Sequence, residues 1–175
     1  MGMSIFKMAL EISDSFVTIG GGEPLLHPLF WEFVLKALDS GRGVKVITNG
    51  KKAEGAIMLA AMGKTGRIHA HLSIDNYHEK IFNSVWAAFA KMEPDTNDKR
   101  KIIGSLSPAR IGRAVNFEGY TYNFCCCEET MIYPNGDIYG CGCKSIKFGT
   151  VDEPAIPAWH HNGCCATLEL MGGLL

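Results

Sequence analysis

Apolar residues fall in short dense runs separated by polar punctuation. Ile5, Met8, Ala9 and Ile12 recur at three- and four-residue spacing, which predicts a helix over residues 3–12, ended by Asp14-Ser15. Phe16–Ile19 reads as a short buried strand, and Gly20–Pro24 as the loop that leaves it. Pro28 suits the first turn of a helix running to about Leu38, because its missing N–H has no helical partner there. Phe30, Phe33, Val34 and Ala37 share one face of that helix, and Gly41 and Gly43 stop it. Val44–Ile47 is the second strand, with Thr48-Asn49-Gly50 at its exit. An Ala/Met-rich helix follows from Lys52 to Met62, ending at Gly63 or Gly66. In the third strand, Ile68–Ile74, His69, His71 and Ser73 alternate with Ala70, Leu72 and Ile74. Tyr77–Met92 reads as helix, Glu93–Asp98 as polar loop and Lys101–Ile103 as a fourth strand, while Pro108–Val115 reads as a loop with room for a fifth. Strands alternating with helices imply βα units and a parallel sheet. Right-handed crossovers then set every strand's C-terminal end on one rim, where open sheets and barrels bind ligands.

The pattern changes towards the C-terminus. Met131–Tyr139 reads as a β-hairpin. Pro134 and Asn135 suit the central positions of a type I turn, and Gly136 the left-handed residue of a G1 bulge. That loop pairs Tyr133 with Asp137, hence Glu129 with Cys141 and Cys127 with Cys143. Side chains alternate faces along a strand, so Cys125, Cys127, Cys141 and Cys143 share one face while Cys126 takes the other. A two-residue Asn-Gly loop would shift the register and swap those roles.

Bulk properties narrow the function classes. The 175 residues are 47% hydrophobic and 20% charged, as expected for one globular domain or one domain with a small appendage. A net charge of -1 gives no reason to expect nucleic acid or an anionic membrane as partner. No apolar run approaches the roughly 20 residues that span a bilayer. Met1–Ser13 carries Glu11 and no small-residue cleavage site, so no signal peptide is expected and a cytoplasmic location is the default. The cytosol keeps thiols reduced. The seven cysteines all lie between Cys125 and Cys165, so the cluster reads as a metal site rather than as disulfides. Tetrahedral sulfur coordination admits zinc and iron–sulfur alike, and a Cys-rich tail that binds nothing is the bland alternative.

The glycine run is not a P-loop, since no Gly-Lys-Ser/Thr follows, nor a G-x-G-x-x-G dinucleotide loop. Successive glycines let backbone approach a ligand closely, although a tight strand-to-helix connection would use them too. Gly21-Gly22-Glu23-Pro24, followed by Leu25-Leu26-His27-Pro28, together with Thr48-Asn49-Gly50 and Ser73-Ile74-Asp75 at successive strand exits, resembles the radical S-adenosylmethionine (radical SAM) enzymes. The resemblance spans about residues 15–165. It implies that Gly21, Gly22, Glu23 and Pro24 hold the amino group of S-adenosylmethionine. Thr48, Asn49, Ser73 and Asp75 would line the same cofactor, with Arg110 and Arg113 on a later strand.

The implied fold is α/β: a partial (β/α) TIM-like barrel lacking its first strand over 1–118, with a small Cys-rich β-hairpin extension over 119–175. The extension resembles the auxiliary-cluster (SPASM/twitch-type) domains of peptide- and protein-modifying members. Cys125, Cys127, Cys141, Cys143 and Cys164 would hold an auxiliary iron–sulfur cluster there, with zinc as the alternative. The implied activity is reductive cleavage of S-adenosylmethionine to a 5′-deoxyadenosyl radical for hydrogen abstraction, which needs an electron donor and a substrate, a peptide or protein by analogy. The family's catalytic cluster sits on C-x-x-x-C-x-x-C after the first strand, and no Cys precedes Cys125 here. The expectation is therefore an N-terminally truncated enzyme. The alternative is a degenerate, non-catalytic binding module with a structural zinc hairpin.

Overall fold

A computed structural model describes residues 1–64, 66–74, 80–91, 97–104, 130–140 and 147–156. They divide into two units, one of residues 13–105 and one that joins residues 1–12 to the part of the chain after Ser105.

The larger unit is mixed α/β. Its strands are β1 (Phe16–Ile19), β2 (Gly43–Thr48), β3 (Ile68–Ile74) and β4 (Lys101–Gly104), in spatial order β1-β2-β3-β4. Every pair is parallel, as the alternating strand and helix pattern requires. Val44, Val46 and Thr48 lie in register with Ile68, Ala70 and Leu72, and all six are buried. The neighbouring positions Lys45, Ile47, His69, His71 and Ser73 are only half-buried. At β2 and β3 the sheet thus has one covered face and one more open face.

The helices α2 (Phe30–Asp39), α3 (Ala53–Gly63) and α4 (Asn83–Phe89) account for the covered face. α2 buries Phe30, Phe33, Val34 and Ala37, the face expected from spacing. Gly63 of α3 sits so close to Ala70 that a Cβ there would lie 3.0 Å from the Ala70 Cβ. Gly50 has φ +75° and lies where a Cβ would meet Leu72 of β3, Val85 of α4 and Ile81. On the same side Asp98 and Arg100 form a buried ion pair, and Arg100 also donates to the Ala88 carbonyl at 2.6 Å.

Three expectations need correction here. The helix predicted from Pro28 starts at Phe30, because Pro24–Leu26 forms a 3₁₀ turn and Pro28 lies in the turn between them. The helix predicted from Tyr77 starts only at Asn83 and ends at Phe89. Asn83 and Ser84 would compete for backbone hydrogen bonds in a helix interior, and the chain places them at its start instead. β1 is not buried: Phe16 is 45% exposed, because β1 is an edge strand whose Phe16 and Thr18 belong to the open face.

The smaller unit pairs α1 (Met3–Glu11) with a three-stranded antiparallel sheet of β5 (Met131–Ile132), β6 (Asp137–Tyr139) and β7 (Lys147–Thr150). Its core is Ala9, Ile138, Phe148 and Val151, flanked by Ile5, Met8, Ile12, Ile132 and Ile156. The hairpin has the expected three-residue loop. Met131 pairs with Tyr139 and Ile132 with Ile138, and the Tyr133 N–H donates to the Asp137 carbonyl at 2.9 Å. The Gly136 N–H closes the turn on the Tyr133 carbonyl at 2.9 Å, and Gly136 has φ +90°. Ile132 and Ile138 face the core, while Tyr133 and Tyr139 stack edge-to-face on the other side, 5.3 Å apart. β7 is absent from the sequence reading; it is four residues long and contains Gly149 at φ +90°, which hides its strand pattern. Lys147 pairs with Asp137 at 2.6 Å across β6 and β7. Among the described residues no helix is long and apolar enough to cross a membrane.

Candidate functional site at the strand exits

The C-terminal ends of β1 and β2 are tied together by one side chain. Glu23 follows the glycine run and caps the 3₁₀ turn, its Oε1 accepting from the Leu25 N–H at 3.1 Å. The same oxygen accepts from the Thr48 hydroxyl at 2.9 Å, and Oε2 accepts from the Asn49 N–H at 2.7 Å. Thr48 ends β2 and is 1% exposed; its oxygen also accepts from the Gly50 N–H at 3.0 Å. The Asn49 side chain accepts from the Lys51 N–H at 3.0 Å. Pro24 is buried. Leu25 lies against Gly55 of α3, where a Cβ would stand 3.3 Å from its side chain. The loop after β1 is therefore anchored at Glu23, Pro24 and Leu25.

The glycines ahead of that anchor are exposed. Gly21 has φ +134°, which only glycine adopts without strain. A Cβ at Gly20, Gly21 or Gly22 would meet nothing within 4 Å. Packing among the described residues does not ask for glycine at 20 or 22. The run leaves an open strip of backbone N–H and C=O groups beside a rigid clasp, and such a strip can hold polar substituents of a ligand.

Of the sequence-derived site residues, Gly21, Gly22, Glu23, Pro24, Thr48 and Asn49 come together here. The hydroxyl of Thr48 and the carboxylate of Glu23 are both engaged within the clasp. Ser73 lies on the adjacent strand, one residue past the Thr48↔Leu72 pair, half-buried and of opposite alternation to Thr48. Asp75, Arg110, Arg113, Cys125, Cys127, Cys141, Cys143 and Cys164 lie outside the described residues. Among the described residues no three His, Cys, Asp or Glu group as a metal site requires.

Sequence reasoning missed the clasp itself. Glu23 and Thr48 are 25 positions apart, and a pairing at that separation has no local pattern. The only available signal is that both stand at strand exits of a parallel sheet, where loops converge. His27 is likewise structural: its Nδ1 accepts from the Leu29 N–H at 3.1 Å and its ring packs on Phe33. No family model, no curated protein and no solved structure matches this chain.

Proposed function

We propose that this chain carries the S-adenosylmethionine-binding half of a radical SAM-type enzyme acting in the cytoplasm on a peptide or protein. The observation that carries the reading is the glycine strip at Gly20–Gly22, open on its Cβ side and locked to the Thr48-Asn49 exit by Glu23. Sequential strand order supports the barrel half of the reading. With right-handed crossovers, order β1-β2-β3-β4 puts every helix on one face, as in a (β/α) barrel, whereas doubly wound sheets reverse order to cover both faces.

In this proposal the backbone of Gly20–Gly22 holds the polar methionine end of the cofactor. Glu23 fixes the distance between the two loops rather than touching the ligand, and Ser73 contributes its hydroxyl from β3. S-adenosylmethionine, paired with a reducing iron–sulfur cluster, supplies a carbon radical able to abstract hydrogen. The described residues bind and orient; they hold no cluster ligands. The auxiliary cluster belongs to Cys125, Cys127, Cys141, Cys143 and Cys164.

The direct test is equilibrium dialysis of the chain with labelled S-adenosylmethionine, beside Gly22→Val. A Cβ at 22 meets open space, so the variant keeps its fold by circular dichroism. Saturable binding weakened at least about tenfold by Gly22→Val is expected, a loss of about 1.4 kcal/mol. No saturable binding, or equal binding by a folded variant, overturns the proposal.

A further inference from the structure

The strand β1 ends its sheet, and its ladder to β2 runs unbroken from Phe16↔Gly43 to Ile19↔Val46. The Gly43 N–H donates to the Ser15 carbonyl at 2.8 Å, which fixes the residues that face β2. Alternate residues of a strand bond to the same side, so Ser15, Val17 and Ile19 turn their N–H and C=O groups to β2. Phe16, Thr18 and Gly20 turn theirs outwards. The same alternation holds in β2, where the Val44 N–H donates to the Arg67 carbonyl on the β3 side at 3.3 Å. Among the described residues no strand pairs with the outer side of β1, and Phe16, Thr18 and Gly20 are all exposed. Phe16–Ile19 has no Lys, no Pro and no bulge, the devices that blunt an edge. The covered face is also unfinished there. Val44 and Val46 are 0% exposed, whereas their register partners Val17 and Ile19 are only half-buried. On the other face the Phe16 ring leans inwards. It lies so close over Gly43 that a Cβ there would collide with it, and it meets His69 at 4.6 Å between centroids.

We propose that β1 is an interface with a second copy of this chain: two β1 strands pair antiparallel across a two-fold axis at Thr18 and join two four-stranded sheets into one. The segment points to a second copy because it complements itself. Several antiparallel registers bring the outward groups of Phe16, Thr18 and Gly20 together. Only the one centred on Thr18 also sets both Val17 and Ile19 against apolar partners. Thr18 then exchanges both bonds with Thr18 of the second copy, and Phe16 with Gly20. Val17 and Ile19 meet across the non-bonded pairs, where side chains approach most closely. With the axis perpendicular to the sheet, the two covered faces lie on one side, so this contact completes the apolar layer that β1 leaves half-open. Opposite Phe16, Gly20 brings no side chain. Asp14 is the sole charged residue from Ser13 to Gly22 and falls opposite Gly22, so no like charges meet. One pair of short strands makes a small interface, so the association is weak. Of the glycine strip only Gly20 enters the pairing, and self-association is measured without the cofactor, so this proposal stands or falls apart from that reading.

The experiment is sedimentation equilibrium of the full chain under reducing conditions, which should show a monomer–dimer equilibrium between about 1 and 300 µM. Thr18→Pro removes the central N–H. That group points away from β2, so the ladder survives and circular dichroism should match the parent. The variant should weaken dimerisation at least about tenfold, whereas Thr18→Val, which keeps the backbone donor, should stay within about threefold of the parent. Should Thr18→Pro not fold, Thr18→Lys replaces it with the same expectation, since it sets like charges across the axis from an exposed position. Amide exchange reads the register: the Phe16, Thr18 and Gly20 amides should slow at least about tenfold between the lowest and highest concentrations. A chain that stays monomeric throughout overturns the proposal. So does a dimer that a folded Thr18→Pro or Thr18→Lys leaves equally tight, or one in which those three amides exchange at the same rate at every concentration.

Discussion

Replacing Glu23 by Ala removes the acceptor for three donors at once: Leu25 N–H at 3.1 Å, Thr48 hydroxyl at 2.9 Å and Asn49 N–H at 2.7 Å. The losses are unequal. Glu23 is half-buried, so water reaches the Leu25 and Asn49 amides once the carboxylate is gone, and each costs about 0.5 kcal/mol. The Thr48 hydroxyl is 1% exposed and finds no water, which costs about 1–2 kcal/mol. The expected destabilisation is about 2–3 kcal/mol in all. Glu23→Gln keeps an acceptor oxygen but loses the charge, and should cost about 1 kcal/mol. Urea unfolding followed by the fluorescence of Trp31 and Trp86, which lie on α2 and α4, measures both. The midpoint should fall at constant slope, since the surface exposed on unfolding is unchanged. A double-mutant cycle with Thr48→Val should give a coupling of about 1 kcal/mol. If Glu23→Ala lies within about 0.5 kcal/mol of the parent, or the cycle shows no coupling, the clasp does not hold the loops.

Three further outcomes follow. Gly149→Ala forces a side chain onto φ +90° with its Cβ 2.3 Å from the Glu153 carbonyl oxygen, so it should lose at least about 2 kcal/mol in thermal melts, whereas Gly22→Ala should change stability by less than about 0.5 kcal/mol. Stability should decline as pH falls from 6.5 towards 4. The unfolded His71 takes up a proton there that the folded ring refuses, which costs about 1–2 kcal/mol once its partial exposure is allowed for. Below 3.8 the loss continues, because the Arg100 hydrogen bond holds the Asp98 carboxyl down at about 2; a urea midpoint that stays flat from pH 7 to about 4 would refute the His71 assignment. Iron, sulfide and zinc per chain after anaerobic purification should fall to near zero in Cys127→Ser and Cys143→Ser but not in Cys126→Ser; equal loss from all three contradicts the outward continuation of the Tyr133↔Asp137 register.

Much of this arrangement was legible as local chemistry. Pro134-Asn135-Gly136 specifies its loop because each residue meets a backbone demand it is suited to, and the Tyr133–Asp137 pairing follows. The strands of the larger unit alternate with helices and end in polar exits, so their parallel sense could be inferred. What escaped depends on partners distant in sequence. The exposure of Phe16 depends on β1 being an edge, which a four-residue run cannot reveal. The late start of α4 turns on Asn83 and Ser84, two residues inside an otherwise helical pattern. The alternation of His69 and His71 was visible, but the lysines that surround them come from β2 and β4. Only the register shows that Lys45, His69, His71 and Lys101 share a face.

The docking of α1 on the hairpin sheet bears on the order in which the chain can fold. The helix is made first, yet its apolar side closes on Ile138, Phe148 and Val151. Residues 13–105 form a contiguous unit whose strand pairs join neighbours in sequence, so that unit can consolidate during synthesis. α1 must wait, its nine residues too few for a stable isolated helix in water. The smaller unit is thus a high-contact-order assembly closed across an intervening domain, and its formation is expected to be the slow step. Deletions after Ile132 that spare the larger unit would strand Ile5, Met8 and Ala9 without their partners, and the resulting chains should show an exposed, aggregation-prone N-terminus rather than a shorter folded protein.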